Sequence, residues 1–387
     1  MTTINVFSGF DGMAGGLVSL KKAGIKVNNY YASEIDKYAS AVAKFNHPEI
    51  KHLGDINNID VGALRKIDLI LAGPPCQGFS CSGSRLDFKD PRSLLFFKAI
   101  EILWDIQKKN PSVKFLIENV SSMRKNIREQ LTELIGVEPI EINSNLVSAQ
   151  NRSRLYWTNI NVPGQPKDKG IFLKDILESD VDDKYYLHKN SIAGKRALKN
   201  LVDSLRYDFE KSRAVTSAGA RKFSGSNSTC LITQTPRGKN NGGIKAIDGK
   251  TPSLSSSSWV DNNHLFEMIR KNGDEKTFLK LSKKLRRKPD QAKASTLTCG
   301  AKSGGDHSAM DYILYNDFSF RRFTPVECER LQTLSDNYTE QGRFKLGRET
   351  KAGRVIKEIS NFQRYKMTGN GWTIDAIVHL LSGLNAN

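Results

Sequence analysis

A chain of 387 residues can hold one large domain and a smaller one, each with its own core. Lys and Arg number 59 against 41 Asp and Glu, a formal charge of +18 that suits a polyanionic partner or simply a basic soluble surface. No apolar run reaches the roughly 18 residues of a membrane span, the start Met1-Thr2-Thr3-Ile4 lacks a signal-like segment, and the five cysteines, none in Cys-x-x-Cys spacing, argue against a disulfide framework or a zinc site; a reducing, cytoplasmic compartment and no metal are expected.

In chain order, Ile4 to Ser8 predicts a first strand. The following Gly9-Phe10-Asp11-Gly12-Met13-Ala14-Gly15-Gly16 predicts a glycine-rich turn opening a helix. Such glycines fit nucleotide sites and plain tight turns alike. Tyr30 to Glu34 ends a second strand in an acid, where a carboxylate reaches ribose hydroxyls. Gly54-Asp55-Ile56 supplies a third polar tip. The apolar run Asp68 to Ala72 then enters Gly73-Pro74-Pro75-Cys76-Gln77-Gly78-Phe79-Ser80-Cys81. Cys76 thus follows a buried strand, where open α/β sheets build active sites, and is placed to act as a nucleophile. Cys81, with no acid or base paired to it, reads as a bystander, and the small-residue loop through Arg85 reads as a lid or a surface loop.

Ser93 to Trp104 predicts a helix. Phe115-Leu116-Ile117-Glu118-Asn119-Val120 puts an acid and an amide at the end of another apolar run, and Gln150-Asn151-Arg152-Ser153-Arg154-Leu155-Tyr156-Trp157 puts two arginines at alternate positions before a third. In an extended segment Arg152 and Arg154 lie about 7 Å apart on one face, within reach of one pocket. A thiolate, a carboxyl group and a guanidinium converging there suit addition to an electron-poor ring gripped by its polar edge.

Alternating strands and helices from 1 to about 160 are the pattern of a doubly wound sheet. Lys174 to Glu178 and Lys184 to Leu187 mark its exit, and beyond about 190 Ser, Thr, Asn and Gly predominate from Ala214 to Ser258, predicting a small irregular β-rich domain. Lys250 to Ser255 echoes Lys293 to Thr298, either by chance or as a repeated strand. Basic runs at Lys283 to Lys288 and Arg343 to Lys357 are candidate phosphate contacts or solvated faces. Thr324-Pro325 with Glu327 predicts a helix start, with Cys328 as packing. Gly369-Asn370-Gly371-Trp372-Thr373 is a polar turn opening an apolar helix, with Trp372 in a pocket or in the core.

Pro75-Cys76, Glu118-Asn119-Val120, Gln150 to Arg154, Arg322 to Cys328 and Gly369 to Trp372 stand in the order of the cytosine carbon-5 DNA methyltransferases, which the sequence resembles over most of its length. The turn Phe10-Asp11-Gly12-Met13-Ala14 is similar to that of the animal de novo branch, whereas Pro74 to Ser80 has the bacterial form. The resemblance implies a Rossmann-like α/β S-adenosylmethionine-dependent sheet with a smaller β-rich target recognition domain. It implies a catalytic domain over 1–187 completed by 360–387, and a recognition domain over 188–359 that includes the Thr-Pro-x-Glu-Cys motif and a basic insertion at 341–357. Cys76, Glu118, Arg152 and Arg154 become the expected catalytic residues. Phe10, Asp11, Gly12, Met13, Ala14, Gly15, Glu34, Ile35, Asp55, Ile56, Pro74, Leu94, Asn370, Gly371 and Trp372 become the expected S-adenosylmethionine site, with Glu34 on the ribose and Asp55 and Ile56 at the adenine. The implied activity is methylation of carbon 5 of a cytosine flipped from double-stranded DNA at a short sequence. A separate restriction endonuclease is an implied partner, and a monomer the implied state, with a dimer open. A tRNA cytosine methyltransferase is the alternative, though its branch has a reduced recognition region, unlike the long stretch between Arg154 and Thr324 here. A silent DNA-binding paralogue would lack Cys76, Glu118 or the cofactor turn, all of which are present.

Overall fold

The computed structural model describes residues 3–75, 91–187, 228–234, 243–246, 251–252, 264–269, 313–314, 320–345 and 354–384. Expectations for Cys76 to Arg85, Lys283 to Lys288 and Lys293 to Thr298 lie outside these residues.

The large sheet is built from β1 (Ile4–Gly9), β2 (Val27–Ser33), β3 (Lys51–Gly54), β4 (Leu69–Ala72), β5 (Lys114–Val120), β6 (Ile140–Asn143) and, after the two-residue β7 (Gln150–Asn151), β8 (Ser153–Thr158). Its order is β3-β2-β1-β4-β5-β8-β6. The five strands β3, β2, β1, β4 and β5 run parallel and β8 runs against both its neighbours. Between them come α1 (Gly15–Lys22), α2 (Lys37–Asn46), α3 (Pro91–Lys109) and α4 (Lys125–Ile135).

Strand alternation divides the core into two layers. Phe7, Ile70, Phe115, Leu155 and Trp157 pack on one face with Phe96 and Leu103 of α3 and Leu131 of α4. Val6, Leu71, Leu116 and Tyr156 pack on the other with Leu17 and Leu20 of α1. Gly16 is required for that second layer: a Cβ there would stand 2.5 Å from Tyr30 Oη and 2.7 Å from Leu71 Cδ1.

A second, antiparallel sheet takes β9 (Tyr186–Leu187), β10 (Ser228–Gln234), β11 (Gly243–Ala246), β13 (His264–Ile269), β14 (Ile313–Leu314) and β15 (Phe320–Arg322), with the short β12 (Thr251–Pro252) set instead beside β7. Thr251 and Pro252 align with Gln150 and Asn151, at the start of the arginine motif.

The chain returns through α5 (Pro325–Leu331), the hairpin β16 (Gln341–Lys345) and β17 (Arg354–Glu358), α6 (Asn361–Asn370) and α7 (Ile374–Leu381). Thr324 and Glu327 form the capping box that their spacing predicts, and Cys328 is fully buried, its thiol pushed up by burial. Packing departs from the expected domain limits here. Leu334, Tyr338 and Ile359 join Met13, Val42 and Met367 in one cluster, Ser148 Oγ donates to Leu331 O at 2.6 Å, and Asn46 Nδ2 donates to Tyr338 O at 3.0 Å. Residues 323–345 therefore build on the large sheet, because their apolar faces are covered by α1, α2 and α6.

Candidate active site

From β1 the chain moves outward to β2 and β3, then returns to place β4 on the other side of β1. The turns after β1 and β4 consequently open side by side, Gly73 N donating to Gly9 O at 3.4 Å. Such a reversal leaves a crevice at the strand ends.

β5 and β8 hold the polar groups of that crevice. Glu118 lies opposite Tyr156 and Val120 opposite Arg154, which makes Glu118 and Arg154 diagonal neighbours on one face. Arg154 Nε meets Glu118 Oε1 at 2.8 Å, with both side chains only 11% exposed. The other carboxylate oxygen, Oε2, accepts from Trp372 Nε1 at 3.2 Å. The indole also lies against Gly73, where a Cβ would stand 3.0 Å from Nε1. Asn119, buried, donates from Nδ2 to Pro74 O at 3.2 Å. One carboxylate, one guanidinium, one indole and the backbone entering the Cys76 loop thus meet in one place, while Cys76 itself lies outside the described residues.

Arg152 departs from the expectation that both arginines face one pocket. Residue 152 falls in the break between β7 and β8, so strand alternation does not carry across it. Its guanidinium turns to the carbonyls of Gly369 (3.3 Å) and Gly371 (3.1 Å). Gln150, two residues earlier, donates to Leu331 O at 3.2 Å. Residues 150, 152 and 154 therefore fasten α5, the turn after α6 and Glu118 in succession. Gln332, which no sequence signal singled out, completes the seam: its Nε2 donates to Thr368 O at 2.5 Å and its Oε1 accepts from Thr373 Oγ1 at 2.8 Å.

On the β1–β2 side, Phe10, Gly12 and Ala14 all have positive φ (57°, 60° and 69°), a tight path in which Asp11 N donates to Ser33 O at 3.0 Å and Ala14 N to Asp11 O at 3.2 Å. Glu34 accepts from Gly12 N at 2.8 Å through Oε2 and from Asp36 N at 2.7 Å through Oε1, and burial holds its pKa up. Asp11 Oδ1 accepts from Tyr30 Oη at 2.6 Å, whereas Oδ2 is buried without a hydrogen-bond partner among the described residues. Burial lifts the Asp11 pKa to about 7, against the opposing Tyr30 hydroxyl.

Other expected residues divide. Ile35 (74% exposed) and Leu94 (60% exposed) present open apolar surface, and α3 packs against the turn Ile56–Asn58. Asp55 caps that turn, accepting from Asn57 N at 3.0 Å. Ile56 and Met13 bury their side chains in the core, the Met13 carbonyl accepts from Tyr338 Oη at 2.7 Å, and Gly15 packs against Ile374. Asn370 is exposed at the end of α6, next to Gly371 and Trp372.

Comparison with known proteins gives this arrangement its family: the model of the C-5 cytosine-specific DNA methylases matches residues 1–384. The chain belongs to that family. Its reaction is S-adenosylmethionine-dependent methylation of cytosine carbon 5 in DNA. An orphan methyltransferase, M.SPRI, of Bacillus phage SPR is 27% identical across 99% of this chain and 98% of its own length. The type II methyltransferase M.NgoBV of Neisseria gonorrhoeae is 32% identical, across 55% of this chain and 57% of its own. Among solved structures, the methyltransferase EhMeth of Entamoeba histolytica superposes with a TM-score of 0.58 at 15% identity, covering 100% of this chain and 99% of that one; S. pombe Dnmt2 gives 0.54 at 16%, covering 98% and 97%. These structures share the fold.

The residues present fit the donor that the family implies. An unpartnered carboxylate oxygen of Asp11 suits an ammonium group. Glu34 keeps acceptor capacity for two hydroxyls beyond its two backbone bonds, since a carboxylate has about four lone-pair sites. The open side chain of Ile35 suits an aromatic ring face.

Proposed function

We propose that the chain methylates cytosine within a short sequence of double-stranded DNA, using Cys76, Glu118 and Arg154 on the base and the β1–β2 crevice for the donor. The observation that carries this reading is Glu118 fixed between Arg154 and Trp372, at the point where Asn119 grips the backbone two residues before Cys76.

The target base leaves the stack, because carbon 5 and carbon 6 are shielded within the duplex. The Cys76 thiolate adds to carbon 6, raising electron density at carbon 5. A free thiol has a pKa of about 8.5, so local positive charge or phosphate positioning favours the thiolate. Glu118 serves ring nitrogen 3 and the exocyclic amine, acting as the acid at nitrogen 3, and Arg154 holds both Glu118 and the base carbonyl. Arg152 acts at one remove, anchoring the 369–371 backbone and so the indole beside Glu118. S-Adenosylmethionine, held by Asp11 to Gly15, Glu34, Asp55 and Ile56, supplies an electrophilic methyl group. Carbon 5 then loses its proton to a base, and Cys76 leaves as carbon 5 and carbon 6 regain their double bond.

The DNA reading outweighs the tRNA alternative, since the family model and the named relatives are DNA methyltransferases. Among the described residues no helix is long and apolar enough to cross a membrane. We assign the protein to the DNA-containing compartment of a bacterial or phage-infected cell, acting as a monomer and, where a restriction endonuclease accompanies it, separately from that enzyme. Expression in a host without cytosine methylation, with bisulfite sequencing, tests the proposal. Protected cytosines in one short context, lost in Cys76→Ser, are expected; unprotected DNA alongside methylated tRNA would overturn it.

A further inference from the structure

The turn after β1 is a strained path for its sequence. Phe10 and Ala14 carry side chains at φ of 57° and 69°, in the left-handed region that favours glycine, with Gly12 between them at 60°. Contacts from other segments fasten three successive residues of it. Tyr30 Oη donates to Asp11 Oδ1 at 2.6 Å, Gly12 N donates to Glu34 Oε2 at 2.8 Å, and Tyr338 Oη donates to Met13 O at 2.7 Å. Tyr30 and Glu34 belong to β2 and the residue that follows it, beside β1 in the sheet. Tyr338 arrives across 325 residues of sequence, from the segment between α5 and the β16–β17 hairpin.

Tyr338 is itself held in place. Asn337, just before it, takes the left-handed conformation at φ 63°. The buried Glu329 carboxylate accepts from Asn337 N at 2.7 Å and from Thr339 N at 2.8 Å, which pins the backbone on both flanks, and Asn46 Nδ2 of α2 donates to Tyr338 O at 3.0 Å. The ring packs with Met13 and Val42 and lies beside His47, 6.2 Å between centroids. Burial, and after it the charge of Asp11, pushes the phenol well above its ordinary value, so the hydroxyl keeps its proton and meets Met13 as a donor. A phenylalanine would fill the same cluster; the hydroxyl adds the hold on Met13 O.

That hold reaches Asp11 through one peptide unit. Met13 O and Ala14 N lie on the same planar group, and Ala14 N donates to Asp11 O at 3.2 Å. With Tyr338 on its oxygen and Asp11 on its N–H, the unit cannot rotate without moving Asp11, whose Oδ2 is buried without a hydrogen-bond partner among the described residues.

We propose that Tyr338 is a positioning residue for the methyl donor: through Met13 O it keeps residues 10–14 on the path that presents Asp11 to S-adenosylmethionine. The assignment rests on the donor reading above and extends it to a side chain outside the crevice. Support of this kind pre-organises a site without touching the ligand.

The test compares full-length wild type, Tyr338→Phe and Tyr365→Phe. The last also removes a buried hydroxyl that donates to a backbone carbonyl, that of Phe323, which lies outside the turn. Calorimetric titration with S-adenosylmethionine in the absence of DNA should show Tyr338→Phe binding about three- to tenfold more weakly, the range set by one lost hydrogen bond. The KM for the donor should rise in step while kcat at saturating donor is nearly kept. In the donor-free protein the amides of Gly12 and Ala14 should exchange their hydrogens faster. Tyr365→Phe should lower the melting temperature to a similar extent, yet keep wild-type donor affinity and wild-type exchange in the turn. Unchanged donor affinity in Tyr338→Phe, or equal weakening in both variants, overturns the proposal and leaves Tyr338 a role in stability alone. A wild-type protein that does not bind S-adenosylmethionine overturns the donor reading and this proposal with it, so the two failures are distinguishable.

Discussion

Trp372 Nε1 donates a hydrogen bond to Glu118 Oε2 at 3.2 Å, across 254 residues of sequence. The indole belongs to the turn that Arg152 and Gln332 fasten, and the carboxylate belongs to the strand that Arg154 braces. The turn after α6 is thereby coupled to the acid proposed to serve the base.

Replacing Trp372 by Phe keeps an aromatic ring and removes the N–H. A hydrogen bond to a charged group is worth roughly 1.5–3 kcal/mol, so methyl transfer should slow about tenfold or more while duplex affinity holds. Steady-state kinetics over a pH series checks it, because a changed profile marks an effect on Glu118 that poorer packing alone would not produce.

Breaking the Arg154–Glu118 pair leaves a carboxylate in a largely closed site. Removing one partner of a buried pair costs about 3 kcal/mol, and Arg154→Ala should lower stability by that order and abolish detectable methylation. Arg154→Lys should restore part of the stability but little activity, since a point charge cannot reproduce the planar contact of Nε. Urea denaturation and methyl incorporation measured on both variants decide this.

Asn119→Ala removes the amide that holds Pro74 O, in a strand position with almost no exposure. The backbone carbonyl is left unsatisfied, at a cost of about 1–3 kcal/mol, and the loop entering Cys76 loses its anchor. The expected outcome is a modest fall in melting temperature with a much larger fall in kcat. Equal losses of the two would remove the positioning role.

Asp11 gives the protein a signed pH dependence. Burial raises its carboxyl from the ordinary value of 3.8 to about 7, so between those values the folded state holds a proton that the unfolded state has released. Stability from this group is complete below about pH 4 and is lost as pH rises through about 7, on the order of 4 kcal/mol at about 1.4 kcal/mol per pKa unit. Asp11→Asn should flatten that fall, leave the variant more stable than the wild type at pH 8, and weaken S-adenosylmethionine binding. Denaturation midpoints across pH 4–8, with calorimetric titration of the donor, check both halves.

The buried Glu329–Arg364 pair ties α5 to α6: the carboxylate accepts from Arg364 Nη2 at 2.9 Å, from Asn337 N at 2.7 Å and from the Thr339 hydroxyl. Glu329→Ala should destabilise by about 3–5 kcal/mol. Opening of the α5–α6 seam should also loosen the Trp372 turn, so activity should fall below what the folded fraction accounts for when both are measured at one temperature.

The sequence by itself determined the large sheet and the strand ends at which its polar groups stand. Apolar runs at 68–72, 115–120 and 155–157 became parts of β4, β5 and β8, with Glu118 in β5, Arg154 at the start of β8, Glu34 just after β2 and Asp11 just after β1. Only the tertiary structure decided what these groups touch. The reach of Arg152 to Gly369 and Gly371, the grip of Asn119 on Pro74 and the hub at Gln332 depend on side chains meeting across distant sequence, which no local period encodes. The same holds for residues 323–345. The resemblance places them with the recognition region, but their apolar faces find cover on α1, α2 and α6, contacts that burial decides and no local pattern encodes.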